Sequence, residues 1–134
     1  SPFSPYNAYE NYLENAENIR PYFLEFCGAY EIDLVLCGHD HAYMRSHYIK
    51  EDGSYEEYAS PAENPEGTMY LTLSSSSGSL YRRPSAQNEA AVSSKRHSPE
   101  VTDVQVTRDS LKISTYDAET WELTDEFEIY KKET

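Results

Sequence analysis

The stretch Ile32-Asp33-Leu34-Val35-Leu36-Cys37-Gly38-His39-Asp40-His41 decides how the rest of the chain is read. Ile32 to Cys37 is short, almost wholly apolar and followed at once by glycine. That pattern predicts a β-strand buried on both faces. Upstream, from Ala16, the residues Ile19, Tyr22, Phe23, Phe26 and Cys27 recur at helical spacing, with Glu17, Arg20 and Glu25 among them. An amphipathic helix is expected there, with Pro21 in its first turn and Gly28 at its end or at a tight packing point. Residues 1–15, opened by Pro2 and Pro5, are expected to be extended or turning. A helix followed by a buried strand is half of an α/β layer arrangement, and sites in such folds form at the carboxyl ends of strands. His39 and His41 fall at such an end.

Downstream, residues 50–66 are polar and rich in acids, and a solvated loop is expected. Thr68-Met69-Tyr70-Leu71-Thr72-Leu73 alternates polar and apolar, which predicts a strand. The run Ser74–Ser77 follows it; without a lysine or P-loop glycine spacing, it is only a weak candidate for lining a cleft. Residues 82–98 show no period and read as a surface excursion. Its Arg82, Arg83, Lys95 and Arg96 could guide an anionic substrate, although a solvated loop explains them as well. Then Val101, Val104 and Val106, Leu111, Ile113 and Thr115, and Trp121, Leu123, Phe127 and Ile129 form three runs. Asp109-Ser110 and Asp117-Ala118-Glu119 separate them, so a three-stranded antiparallel meander is expected.

The chain has 134 residues, a formal net charge of −13 and 38% apolar residues. By length it is one domain with a modest core, and its apolar content excludes a disordered acidic tail. The first 66 residues hold 13 of the 24 acids and 3 of the 11 basic residues. Such a surface repels phosphate backbones and anionic lipid, which argues against nucleic acid or membrane surface as a general partner. No apolar run approaches the roughly 20 residues of a membrane span, and no signal-peptide pattern is present. The first residue is Ser1 rather than Met, as expected of a processed product or a fragment. Cys27 and Cys37 have no metal-binding spacing; they could pair under oxidising conditions or stay as two buried thiols.

Neutral imidazole is the commonest protein ligand for metals. On a tight loop after Gly38, His39 and His41 could converge on two neighbouring metals or on one. Asp40 between them could be a ligand, an acceptor for an imidazole N–H, or a turn residue. His47 and His97 read as loop or strand-edge histidines, with a ligand role the lesser expectation.

The segment from Asp33 through Gly38-His39-Asp40-His41-Ala42-Tyr43-Met44-Arg45-Ser46 resembles the closing GHxH signature of calcineurin-like metallophosphoesterases, most of all the purple acid phosphatase branch. Gly67–Leu73 resembles the family strand that follows, and residues 101–130 resemble its closing strands, ending in Asp125-Glu126-Phe127-Glu128-Ile129-Tyr130-Lys131. The resemblance covers nearly the whole chain. It implies an α/β fold (α+β by local content): part of a four-layer α/β/β/α sandwich, with one main helix, a buried strand and a C-terminal meander. It also implies two metal ions (iron, manganese or zinc), a phosphate mono- or diester as substrate, and hydrolysis by a metal-activated hydroxide. Residue by residue, His39 and His41 match ligands of the two metals. Asp40 falls at the variable position. Tyr43 and Arg45 match positions beside the site, where substrate binding and loop support are both open.

The family's remaining motifs are missing from these 134 residues: an Asp-x-His, a bridging carboxylate segment, an Asn-His pair and a further histidine. The resemblance places them upstream, the general-acid histidine included, so no catalytic residue is assigned within this chain. Residues 1–134 are accordingly expected to be the C-terminal portion of one metallophosphoesterase domain. Residues 1–46 would carry helix, strand and metal loop, 47–98 a strand and variable loops, and 99–134 the meander. Ser1-Pro2-Phe3-Ser4 resembles the segment just after the family's third histidine motif. The expected partner is the N-terminal remainder of the same domain, possibly a separate chain, and the fragment alone is expected to be inactive. The alternative is a non-catalytic β-rich binding or assembly module with a vestigial metal loop, its 13 tyrosines serving partner recognition. Acidity, few lysines, many Tyr, Ser and Asn, and the export of many relatives point to a secreted or cell-surface bacterial protein. The −13 charge does not oppose a phosphorylated substrate, because bound metals invert the local sign.

Overall fold

Helix α1 spans Leu13–Ala29, so it starts before Ala16 and Pro21 lies inside it rather than in its first turn. The structure is a computed structural model; it describes residues 13–77, 89–93 and 98–133, with side chains from residue 18. The helix does not stop on Gly28. The Ile32 N–H donates to the Cys27 carbonyl and the Glu31 N–H to that of Gly28, while Glu31 takes a left-handed φ of 50°. This paired closure is the Schellman arrangement, with glutamate where glycine is usual. Ile32 then packs back on Cys27, as that motif favours.

Among the described residues, nine strands follow in two sheets. The first holds β1 (Leu34–Cys37), β5 (Thr68–Thr72), β2 (Met44–Ile49), β3 (Tyr55–Glu56) and β6 (Ala90–Ser93). β1 runs parallel to β5, and β5 antiparallel to β2. The far edge of β2 is shared, by β6 against Met44–Ser46 and by β3 against Tyr48 and Ile49. The second sheet has the order β4 (Ala62–Glu63), β9 (Leu123–Tyr130), β8 (Ser110–Asp117), β7 (Glu100–Val106). β7, β8 and β9 form the expected antiparallel meander.

Period-two alternation divides the core into two slabs. Met69 and Leu71 of β5 join Tyr43, Tyr48, Ile113, Phe127 and Ile129 between the sheets. Tyr70 joins Met44, Ile49 and Cys27 beneath the helix. The described residues therefore form three layers, helix on sheet on sheet. A register shift in β2 between Arg45 and Tyr48 lets both face the second sheet, as a bulge does.

Four further sequence expectations need correction. β1 is not buried on both faces: Leu36 is 49% exposed. β2 is a near-fully buried strand where only the end of the metal loop was expected; its Arg, Ser and His hide the pattern. Ser46 is buried because its Oγ accepts from the Tyr70 N–H and donates to the His47 carbonyl. Residues 50–66 are not simply solvated, because β4 within them pairs parallel with β9 and buries Ala62. Trp121 is no strand residue; it lies in the β8–β9 turn with φ 61° and 68% exposure.

Gly67 is fixed twice over. Its φ is 108°, and a Cβ there would lie 2.8 Å from the Ile49 carbonyl oxygen, a backbone atom that cannot swing away. Gly67→Ala is expected to cost about 2–3 kcal/mol, read as a shift of the urea midpoint without a change in slope. A loss within about 0.5 kcal/mol, the scale of an ordinary surface substitution, would contradict this.

Candidate metal centre

β1 and β5 run parallel, and the pairing continues past their ends, where the Leu73 N–H donates to the Cys37 carbonyl at 2.7 Å. The two segments that follow, Gly38–His41 and Ser74–Ser77, thus leave the sheet at one edge. This is the carboxyl edge, where α/β sites form.

The loop bends at its histidines rather than at its glycine. His39 has φ 78° and His41 φ 52°, both left-handed, whereas Gly38 has no such φ and a Cβ on it would meet nothing within 4 Å. Left-handed backbone costs an L-residue roughly 1–2 kcal/mol and concentrates at functional sites. Gly38→Ala is expected to change stability by less than about 0.5 kcal/mol and to leave the loop's function intact. A loss of 2 kcal/mol or more in thermal or chemical unfolding would show that the glycine is needed after all.

The alternation turns the two imidazoles out and the carboxylate between them in. His39 is 61% exposed, and the Asp40 side chain is fully buried. Asp40 Oδ1 lies 3.6 Å from His39 Nδ1, longer than a hydrogen bond. The Asp40 carboxylate thus lies behind the His39 imidazole, short of a hydrogen bond to it. Two exposed imidazoles on one tight loop, one backed by a carboxylate, are a donor set that fits part of a metal site. They are not a whole one: among the described residues, no group of three or more His, Cys, Asp or Glu could hold a metal ion.

Tyr43 and Arg45 lie inward of the loop, 2% and 8% exposed. Tyr43 Oη donates to Asp125 Oδ2 at 2.6 Å; Arg45 Nε donates to the same oxygen at 2.7 Å and its Nη2 to Oδ1 at 3.1 Å. The Arg45 guanidinium also lies over the Phe127 ring, 4.6 Å from its centroid. Burial first, and then the Asp125 carboxylate, push the Tyr43 phenol well above its usual range, so it remains a donor. Asp125 appeared in the sequence only as part of a closing pattern. The available signal was Arg45 itself, a cation between Met44 and Ser46 in a run leading to Tyr48 and Ile49, which calls for a buried anion.

The other candidates are not brought to the loop in this way. His47 stacks on Tyr55 at 5.1 Å between ring centroids and lies 3.8 Å from the Glu57 carboxylate. Ser75 and Ser77 form a small local turn, with their Oγ atoms 3.1 Å apart. Cys27 is buried and Cys37 half-buried, and no disulfide joins them. His97, Arg82, Arg83, Lys95, Arg96 and Ser1–Ser4 lie outside the described residues. One cavity of about 270 Å³ is lined by Arg45, His47, Tyr48, Glu57 and Phe127 among others; another of about 480 Å³ lies at the opposite end of β1, around Asp33 and Lys131. Neither takes in His39 or His41.

No protein-family model matches the chain, and no curated protein does. Among solved structures, a purple acid phosphatase from seeds of yellow lupin (Lupinus luteus) matches 94% of this chain with a TM-score of 0.72 and 14% sequence identity. The match covers 23% of that chain, so the present chain spans about a quarter of its length. At this identity the likeness concerns the fold. The described residues form an α+β fold, two sheets with a single helix, that matches a fragment of the purple acid phosphatase fold.

Proposed function

We propose that this chain is the C-terminal portion of a metal-dependent phosphoesterase of the purple acid phosphatase type. Residues 1–46 would carry the metal loop, 47–98 the strand and variable loops beside it, and 99–134 the meander that backs it. The observation that carries this reading is the placement of His39 and His41 on a left-handed loop at the carboxyl edge of β1, within a fold fragment like that of the lupin enzyme. When bound, two metal ions would supply Lewis-acid polarisation of a phosphate ester and an acidified water.

The chain's own residues would do the following. His39 and His41 offer one imidazole each to the two metals. Asp40, from below, holds the orientation of His39. Tyr43 and Arg45 serve by tying the start of β2 to Asp125 rather than by touching substrate, since their polar atoms already engage that carboxylate. Further ligands and the general acid would come from upstream residues, so the 134 residues alone are expected to be inactive. The test is metal analysis of the complete protein together with hydrolysis of an aryl phosphate. Two metals per chain and turnover support the reading. No metal and no turnover, with the upstream residues present, would leave the non-catalytic module instead.

A further inference from the structure

The histidine loop is strained at both imidazole-bearing residues, and its two arms have different holders. Left-handed backbone at residues other than glycine persists only where the surrounding structure over-determines it. Before His39, with φ 78°, that structure is the first sheet. β1 pairs with β5 along its whole length, and the Leu73 N–H carries the pairing on to the Cys37 carbonyl. After His41, with φ 52°, the ladder is short. β2 pairs with β5 in register at Met44 and Arg45 before the register shifts, and its pairing with β6 shifts directly after Arg45. A bulge disrupts the ladder locally, so strand pairing alone leaves this arm loosely fixed. The second sheet supplies the firmer hold. Asp125 of β9 accepts from Tyr43 Oη at 2.6 Å and from Arg45 Nε and Nη2 at 2.7 and 3.1 Å. Ala42, between His41 and Tyr43, is 4% exposed and Met44 fully buried, and both pack beneath the helix. The exit arm is thus gripped by packing on one face and by one carboxylate on the other. Packing is non-directional, whereas charge-assisted hydrogen bonds set direction.

We infer that Asp125 is a positioning residue for His41: through Tyr43 and Arg45 it fixes the exit arm of the loop, and with it the direction in which the His41 imidazole is offered to a metal. The inference rests on the reading of the loop as half of a dinuclear site and goes beyond it in giving each imidazole its own support. His39 is backed by Asp40 from within the loop, while His41 depends on a carboxylate of the other sheet. The two imidazoles are therefore tied to different parts of the fold. A change at Tyr43 or Asp125 should loosen the metal at His41 and spare the metal at His39. A purely structural role for Asp125 has another consequence: the sheets would separate more easily, and both metals would bind as before or weaken together. Tyr43 is the sharper handle. Its phenol can be removed while the bidentate Arg45–Asp125 pair, which holds the buried charges, stays in place.

The test is a titration of the metal-free complete protein, isotope-labelled in its histidines, with chelator-buffered Zn(II). Each imidazole reports its own metal through its nitrogen shifts in the NMR spectrum. In Tyr43→Phe the midpoint at His41 is expected to rise about 10–100-fold, the range for losing a partner behind a ligand, and the midpoint at His39 to stay within about 3-fold. Asp125→Asn should give the same order with a larger rise at His41. Ile129→Val, a buried position further along β9, controls for lost stability alone and should move neither midpoint. Equal shifts at both histidines in Tyr43→Phe, or none at either, would overturn the inference. So would a rise at His41 in Ile129→Val as large as that in Tyr43→Phe. Because Tyr43→Phe keeps the buried ion pair, these outcomes can be read even if Asp125→Asn does not fold. Failure of both histidines to respond in the wild-type protein would instead overturn the reading of the loop as a metal centre, and the inference with it.

Discussion

Asp125→Ala is expected to destabilise the folded protein by about 3–5 kcal/mol, the range for removing one partner of a buried, hydrogen-bonded ion pair. The Asp125 carboxylate is 9% exposed and accepts from Tyr43 and twice from Arg45, so its loss strands a guanidinium and a phenol in the space between the sheets. The Arg45 side chain is only 10% exposed and lies over Phe127, so little water can replace the lost carboxylate. Residues 45 and 125 come from different sheets, so the pair also fixes how β2 is set against β9. Asp125→Asn keeps the shape and one acceptor and should cost less. Arg45→Met combined with Asp125→Leu should cost less than the two single losses added together, because neither charge is then left alone. Chemical denaturation of wild type, Arg45→Met, Asp125→Leu and the double variant gives the coupling directly. A loss below about 1 kcal/mol for Asp125→Ala, the scale of an exposed salt bridge, would mean that water reaches the pair.

The same pair shows why part of this fold was legible in the sequence and part was not. The meander announces itself because each strand alternates and each joint holds an Asp or Ser. β5 was legible for the same reason, with Met69 and Leu71 to one side and Tyr70 to the other. β2 was not, because its Arg45, Ser46 and His47 read as polar loop while their partners lie far off in sequence. A buried polar residue looks exposed until its partner is known. The strand β1 misled in the other direction. Its composition describes a strand with two covered faces, whereas Leu36 is 49% exposed. The site was legible as residue types and order: two histidines after an apolar strand. The left-handed turns at those histidines were not, because the preceding glycine draws the eye and turns out to need no glycine.

His39→Ala and His41→Ala in the complete protein are expected each to lower metal occupancy and aryl phosphate turnover by more than 100-fold. Loss of a residue that only orients a ligand typically costs about 10–100-fold, and loss of a donor should exceed that. Asp40 provides the internal comparison. Under the proposed reading Asp40, buried and with Oδ1 3.6 Å from His39 Nδ1, backs the imidazole and is not itself a ligand. Asp40→Asn should therefore fall in the 10–100-fold range, with metal still bound at high metal concentration, which separates orientation from ligation. Neither histidine variant should unfold, because both side chains are exposed and their replacement leaves no cavity. Alanine at positions 39 and 41 keeps the left-handed backbone cost, so a stability control is built in: unchanged unfolding midpoints with lost metal assign the effect to the imidazoles. If all three variants retained wild-type occupancy, the loop would not hold metal at all, and its strained backbone would need another explanation.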